Sequence, residues 1–178
     1  MSKMISGFLD VARFESGKIY LNMETCNLTA IIAQVIDDYQ AISSHSHNIQ
    51  FNANPTPDLH ADYNKIQQVV ENLLSNALKY SPPGSDVTIT CYSDNSSVQM
   101  SITNEGEGIA LRNQDKLFSR FYRANQNQQV SGFGIGLYLC AEIVASHRGS
   151  IWVESDQGEG ATFHIVLPVQ AAVAAQHD

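Results

Sequence analysis

The sequence predicts a two-layer α/β sandwich: a mixed, mostly antiparallel sheet with about three helices packed on one face. Three observations predict it. After the first 17 residues, three segments carry apolar residues at helical spacing, at Thr29–Ser43, Ile66–Tyr80 and Ile135–His147. Two pairs of Val-, Ile- and Thr-rich segments, Asp86–Ser93 with Ser97–Asn104 and Ser150–Ser155 with Ala161–Leu167, are joined by short polar turns, as in hairpins. The helical and strand segments are interleaved, which calls for one shared core.

Composition narrows the function classes. With 178 residues, 43% of them hydrophobic, there is material for one domain with a core. A net charge of −8 with only ten Lys and Arg argues against a nucleic-acid surface. Free nucleotides stay possible, because a divalent cation and backbone amides can neutralise phosphates. Cys26, Cys91 and Cys140 have no metal-ligand spacing and fit a reducing, cytoplasmic compartment better than a disulfide frame. No apolar run reaches membrane-spanning length, so direct membrane contact is not expected.

Taken in order, Ser2–Glu15 has helical spacing with a stop at Gly17, and is expected to be the end of a longer hairpin (residues 1–17). Lys18–Glu24 alternates like a half-buried strand. Thr29–Ser43 is an amphipathic helix through Ile31, Ile32, Val35, Ile36 and Tyr39, and Ile49–Ala53 is a short strand. Pro55 and Pro57 mark a loop, and Asp62 is the expected N-cap of the central helix. That helix buries Ile66, Val69, Val70, Leu73 and Ala77, with Leu74 at the margin, and ends at Pro82-Pro83-Gly84. After the first hairpin, Glu105–Ser131 is long, polar and Gly-bearing, with one apolar island at Leu117–Tyr122; loops of that length are most often functional lids. Residues 18–168 make up the expected domain, and 169–178 a loose tail.

The chemistry sits at the edge of the central helix and in three glycine clusters. Asn72, Asn76 and Lys79 fall at i, i+4 and i+7, one above another beside the apolar stripe. A solvated polar face explains that helix by itself. Two carboxamides and an ammonium are also suited to a metal-bound polyphosphate, since Mg²⁺ takes one or two protein oxygens and completes its shell with water and phosphate. The clusters are N-E-G-E-G-I from Asn104, G-F-G-I-G-L from Gly132 and G-E-G-A-T-F from Gly158. The second opens a helix, where free amides and the dipole suit a phosphate, but its G-x-G-x-G spacing and the lack of a leading strand exclude a dinucleotide fingerprint.

Each cluster alone is weak; their order is specific. N-L-L-S-N-A-L-K-Y, N-E-G-E-G-I, L-F-S-R-F-Y-R, G-F-G-I-G-L and G-E-G-A-T-F, in that sequence, resemble the boxes of the ATP-binding domain of sensor histidine kinases. The likeness covers roughly Lys18–Pro168, and L-D-V-A-R-F-E-S-G-K is similar to the family's junction out of its dimerisation hairpin. The resemblance implies the Bergerat-type sandwich of gyrase, Hsp90 and MutL ATPases, with a flexible ATP lid.

The same resemblance implies ATP and Mg²⁺ as ligands and assigns roles. Asn76 is the metal ligand, Asn72 lies near the phosphates, and Lys79 and Tyr80 close over phosphate and ribose. Asn104 reads adenine in a pocket lined by Gly106, Gly108 and Ile109. Phe118 anchors the lid, and Arg123 reaches the γ-phosphate. Gly132, Gly134, Ile135, Gly136 and Leu137 wrap the polyphosphate, and Thr162 completes the contact set. Asn76, Lys79 and Arg123 are the implied catalytic residues, and the implied partners are a dimerisation hairpin bearing the phosphoacceptor and a response regulator.

Two departures stand out. Asn104 replaces the family's usual Asp, keeping an acceptor for adenine's amine and losing the charge. None of the six histidines has an acidic residue after it and a later proline, the phosphoacceptor context; His147 and His164 are read as structural, and the chain as a catalytic half. Related hydrolases carry a water-activating Glu four residues before the metal-binding Asn. Here that position is Asn72, which cannot act as a base, and Glu71 lies about 100° around the helix. Transfer to a supplied acceptor is therefore expected, with a conformational ATPase and a non-catalytic interaction module as the alternatives.

Overall fold

The computed structural model describes residues 21–42, 47–94, 96–123 and 134–169. Among these residues, seven strands and four helices follow in the order β1 (Glu24–Cys26), α1 (Leu28–Ile42), β2 (Asn48–Ala53), β3 (Leu59–Ala61), α2 (Tyr63–Tyr80), β4 (Asp86–Ser93), β5 (Ser97–Asn104), α3 (Leu111–Gln114), α4 (Gly136–Ser146), β6 (Ser150–Glu154) and β7 (Ala161–Pro168). Five strands form one sheet in the order β2-β4-β5-β7-β6. Only β2 and β4 run parallel within it, so the sheet is mixed and mostly antiparallel, as expected. A separate antiparallel pair, β1–β3, closes one side.

Strand alternation decides which sheet face is dry. Val87, Ile89 and Cys91 on β4, Val98, Met100 and Ile102 on β5, and Ala161, Phe163, Ile165 and Leu167 on β7 all point to the helices and are buried. Against them α1 packs Leu28, Ile31, Ile32 and Val35, and α4 packs Cys140, Ile143 and Val144. The central helix α2 buries Ile66, Val69, Val70, Leu73, Leu74 and Ala77, the stripe read from the 3.6-residue period. Each such Ile, Leu or Val contributes about 1.5–3 kcal/mol on burial. Asp62 caps α2 through an Oδ1 that accepts from Lys65 N–H at 3.1 Å. At the other end Ser81 Oγ donates to the Ala77 carbonyl at 2.6 Å, one residue before Pro82.

Several boundaries differ from the sequence reading. The first strand among the described residues is Glu24–Cys26, and residues 21–23 precede it without strand pairing; the start of the expected strand, residues 18–20, lies outside the described residues. Strand β3 was not foreseen: it is three residues between Pro57 and Asp62, too short for any period to register. The described part of the expected lid, residues 105–123, holds a short helix, α3, and a docked phenylalanine segment, and residues 124–131 lie outside the described residues. Val169, expected to open a loose tail, donates its N–H to the Ser96 carbonyl at 2.8 Å and packs on the core. The expected hairpin end at residues 1–17 and the tail 170–178 lie outside the described residues. Among the described residues no helix is long and apolar enough to cross a membrane.

Candidate nucleotide site

Helices α2 and α4 set the frame of the site. A Cβ added to Gly136 would stand 3.8 Å from the Asn72 carboxamide, the Cys140 thiol points at the Val69 carbonyl at 3.9 Å, and Asp62 meets His147. As one chain ascends the other descends, so the helices are antiparallel. The polar edge of α2 and the glycine start of α4 thus lie at the same end. Asn72 and Asn76 are half-buried there, and Lys79, one turn further, is exposed. The N-terminus of α4 has Ile135 at its cap and no side-chain cap bond, which leaves its first amides without a cap side chain, the condition under which a helix start suits an anion.

The other wall is built from loops stapled to the sheet. Asn104 ends β5 with 5% of its surface exposed, and its Nδ2 donates to the Glu105 carbonyl at 3.1 Å. Gly106 sits against both this amide and the end of α2: a Cβ there would lie 3.4 Å from Asn104 Nδ2 and 2.5 Å from the Tyr80 carbonyl. Gly108 has φ +68°, and a Cβ on it would run into the Asp156 carbonyl at 2.0 Å, so no other residue fits. Ile109 N–H donates to Ser155 Oγ at 2.8 Å, and Gln114 Nε2 donates to the Ile109 and Ser155 carbonyls at 2.8 and 2.7 Å. Ser155 Oγ in turn donates to the Gly160 carbonyl. Sequence reasoning missed this frame, since Ser155 and Gln114 look like ordinary loop residues.

The phenylalanine segment is seated on the glycine turn. Phe118 meets Phe163 edge-on, with centroids 6.4 Å apart and an 84° interplanar angle. Phe121, at φ 61°, donates its N–H to the Gly134 carbonyl at 2.9 Å, and a Cβ on Gly134 would strike the Tyr122 carbonyl at 2.6 Å. This docking carries Arg123 to the end of α2. Desolvation lowers the pKa of the Lys79 ammonium, and the Arg123 guanidinium lowers it further, so two cations face one region.

The structure therefore brings Asn72, Asn76, Lys79, Tyr80, Asn104, Gly106, Gly108, Ile109, Phe118, Arg123, Gly134, Ile135, Gly136 and Leu137 to one end of the sandwich. Thr162 does not join them. Its hydroxyl pairs with Thr103 across β5 and β7 at 3.0 Å, on the sheet face away from the helices, and Ala161 is the neighbour that turns inward. The G-A-T-F string hid this, because a shift of one residue along a strand reverses the face. Gly132 lies outside the described residues. His147 and His164 are structural as read: His147 is buried between helices, and His164 stacks on Trp152 at 4.9 Å and pairs with Ser101 at 2.7 Å.

The family model for histidine kinase-, DNA gyrase B-, and HSP90-like ATPases matches residues 61–171, from β3 through the last strand. The chain belongs to this ATPase family. The adaptive-response sensory kinase SasA of Synechococcus sp. (strain JA-3-3Ab) is 36% identical over 173 residues, covering 95% of this chain and 46% of that protein. The sensor histidine kinase WalK of Bacillus subtilis (strain 168) is 33% identical over 175 residues, covering 94% of this chain and 28% of WalK. The chain thus spans less than half the length of either relative. Among solved structures, the mycobacterial sensor histidine kinase MprB superposes with a TM-score of 0.73 at 28% identity, over 84% of this chain and 99% of that one. The ATPase-family match begins at Ala61, next to the Asp62 cap, and takes in every candidate residue above.

The residues present fit a magnesium ion carried by a polyphosphate. Among the described residues no three His, Cys, Asp or Glu side chains gather as a protein-built metal cage. Asn76 instead offers one carboxamide oxygen at a half-buried edge, the single protein contact such an ion needs when phosphate and water fill its shell.

Proposed function

We propose that this chain binds Mg-ATP and donates the γ-phosphate to a histidine on a separate dimerisation hairpin, as the catalytic half of a sensor histidine kinase. The observation that carries the reading is the convergence of the Asn72–Asn76–Lys79 edge, the uncapped α4 start and Arg123. Asn76 would hold the ion, which supplies charge neutralisation at the phosphates. Lys79 and Arg123 would orient the terminal phosphate, the first amides of α4 would cradle the chain of phosphates, and Asn104 would meet the base. Asn72 gives no general base, and Glu71 is held by Gln67 Nε2 at 3.0 Å along the helix, which favours transfer over hydrolysis. A response regulator would then take the phosphoryl group from the hairpin, in the cytoplasm.

Radiolabelled ATP with Mg²⁺ and a separately produced hairpin tests this. Acid-labile label should appear on the hairpin's histidine and not on the chain itself. Sustained phosphate release without any acceptor would favour the hydrolase reading, and no nucleotide binding by calorimetry would leave only an interaction module.

A further inference from the structure

His147 closes the end of the α2–α4 pair opposite the nucleotide site. Its ring is buried, 4% exposed, and both nitrogens are used: Nε2 accepts from the Asp62 backbone N–H at 3.0 Å, and Nδ1–H donates to the Ile143 carbonyl at 2.8 Å. These bonds define one neutral tautomer. Asp62 is buried as well, 5% exposed, and is itself a junction: Oδ1 caps α2 at Lys65, while Oδ2 accepts from the Asn22 N–H of the incoming segment at 2.9 Å.

Between this bond and the site the two helices meet through apolar side chains, Val69, Val70 and Leu73 from α2 and Ile143 and Val144 from α4, and through one weak thiol contact, Cys140 Sγ to the Val69 carbonyl at 3.9 Å, longer and weaker than the His147 bond. Apolar packing tolerates sliding by part of a turn far better than a buried directional hydrogen bond does, which is how a single buried polar group fixes the register of paired helices. A slip of one turn would carry Gly136 about 5.4 Å along Asn72. We infer that His147 is a positioning residue: it sets the register of α4 against α2, and thereby the fit of the Gly134–Gly136 turn to the Asn72–Asn76 edge some eleven residues away. The inference rests on reading that far end as the nucleotide site.

Two variants separate positioning from bulk packing. His147→Gln keeps an oxygen near the place of Nε2 and can still accept from Asp62 N–H. His147→Asn is long enough for the Ile143 carbonyl but too short for Asp62. Binding of the ATP analogue AMPPNP with Mg²⁺ is measured by calorimetry on the full chain, well below each melting temperature. The Gln form should bind within about threefold of the parent, and the Asn form should be weaker on the order of 10-fold or more. Equal affinities in the two folded variants would overturn the inference, even with unequal melting temperatures. If the parent binds no nucleotide, the ATP reading fails by itself. The register is then judged by amide exchange at Leu139 and Cys140, which should be faster in the Asn form than in the Gln form; identical exchange would sink it. Should the Asn form not fold, His147→Phe takes its place in both measurements with the same expectations.

Discussion

The Nδ2 of Asn104 donates to the carbonyl of Glu105, its own neighbour, over 3.1 Å. That bond decides the orientation of a group whose two faces are otherwise interchangeable. From the sequence alone an amide here can flip, pairing with either adenine or guanine. With one Nδ2 hydrogen engaged, Oδ1 would be the atom offered to a base edge on the proposed reading, where an acceptor suits adenine's amine and opposes guanine's carbonyl. Asn104 should thus discriminate as a carboxylate does. Asn104→Asp is expected to change the ATP-to-GTP affinity ratio by no more than about threefold, and it should lose stability by roughly 1–3 kcal/mol because the Glu105 carbonyl loses its donor. Competition binding and urea unfolding measure the two effects. A sharp gain in ATP preference would mean that the amide flips in the complex.

How much of this could be read beforehand varies with the physics that each feature obeys. The buried stripe of α2 and the β4–β5 hairpin follow from periods of 3.6 and 2, and both lie where the sequence puts them. Strand β3 is only Leu59–Ala61, and it exists because β1 offers it a partner, a long-range fact no local pattern carries. Likewise Phe121 adopts φ 61° because Gly134 accepts its N–H, and neither residue announces the other. The face that Thr162 takes hangs on a one-residue shift along β7, while the Asp62 cap was legible because capping is local.

Asn76 borders solvent and contributes little to the core, so its loss should separate chemistry from folding. Asn76→Ala should remove the one protein oxygen offered to the ion and abolish transfer to the hairpin. The melting temperature should stay within a few degrees of the parent, as for surface changes of about 0.5 kcal/mol. Transfer at the normal rate would show that the ion is held elsewhere.

Lys79 gives a pH signature with a definite sign. Burial, aided by the Arg123 charge, holds its folded-state pKa below the ordinary 10.5. The charged form is therefore disfavoured in the folded chain. The resulting destabilisation is complete below the depressed value and fades as pH rises towards 10.5. Without nucleotide, Lys79→Gln should remove that alkaline gain from the stability-versus-pH curve, while lowering affinity for Mg-ATP on the order of 10-fold through the lost phosphate contact. A variant curve that superposes on the parent in the alkaline range would show that Lys79 is neither desolvated nor close to Arg123 in the folded chain.

Burial pushes the Cys140 thiol up to about 12, and its S–H points at the Val69 carbonyl at 3.9 Å. Cys26 and Cys91 are buried too, and burial raises both. Since the thiolate is the reactive form, all three should resist a thiol reagent at neutral pH in the folded chain and react within minutes in urea. Rapid labelling of Cys140 in the native chain would show that the α2–α4 contact opens.

Phe118 is the tie between the sheet and the segment that delivers Arg123. Its ring packs edge-on to Phe163, Gln114 ties the preceding turn to Ile109 and Ser155, and Phe121 bonds to Gly134. The segment from Leu111 to Arg123 was expected to be part of a loose lid, yet these contacts hold it to the domain without any ligand. It should then resist limited proteolysis in the empty chain. Phe118→Ala removes the aromatic contact from a half-buried position, at a cost of about 1–3 kcal/mol, below that of a fully buried ring. Cleavage at Lys116, Arg120 or Arg123 by trypsin should appear in the variant and be slowed by Mg-ATP, because phosphate contacts through Arg123 draw the segment back. Equal cutting of parent and variant at these three sites would mean that the phenylalanine is not what holds Arg123 in place.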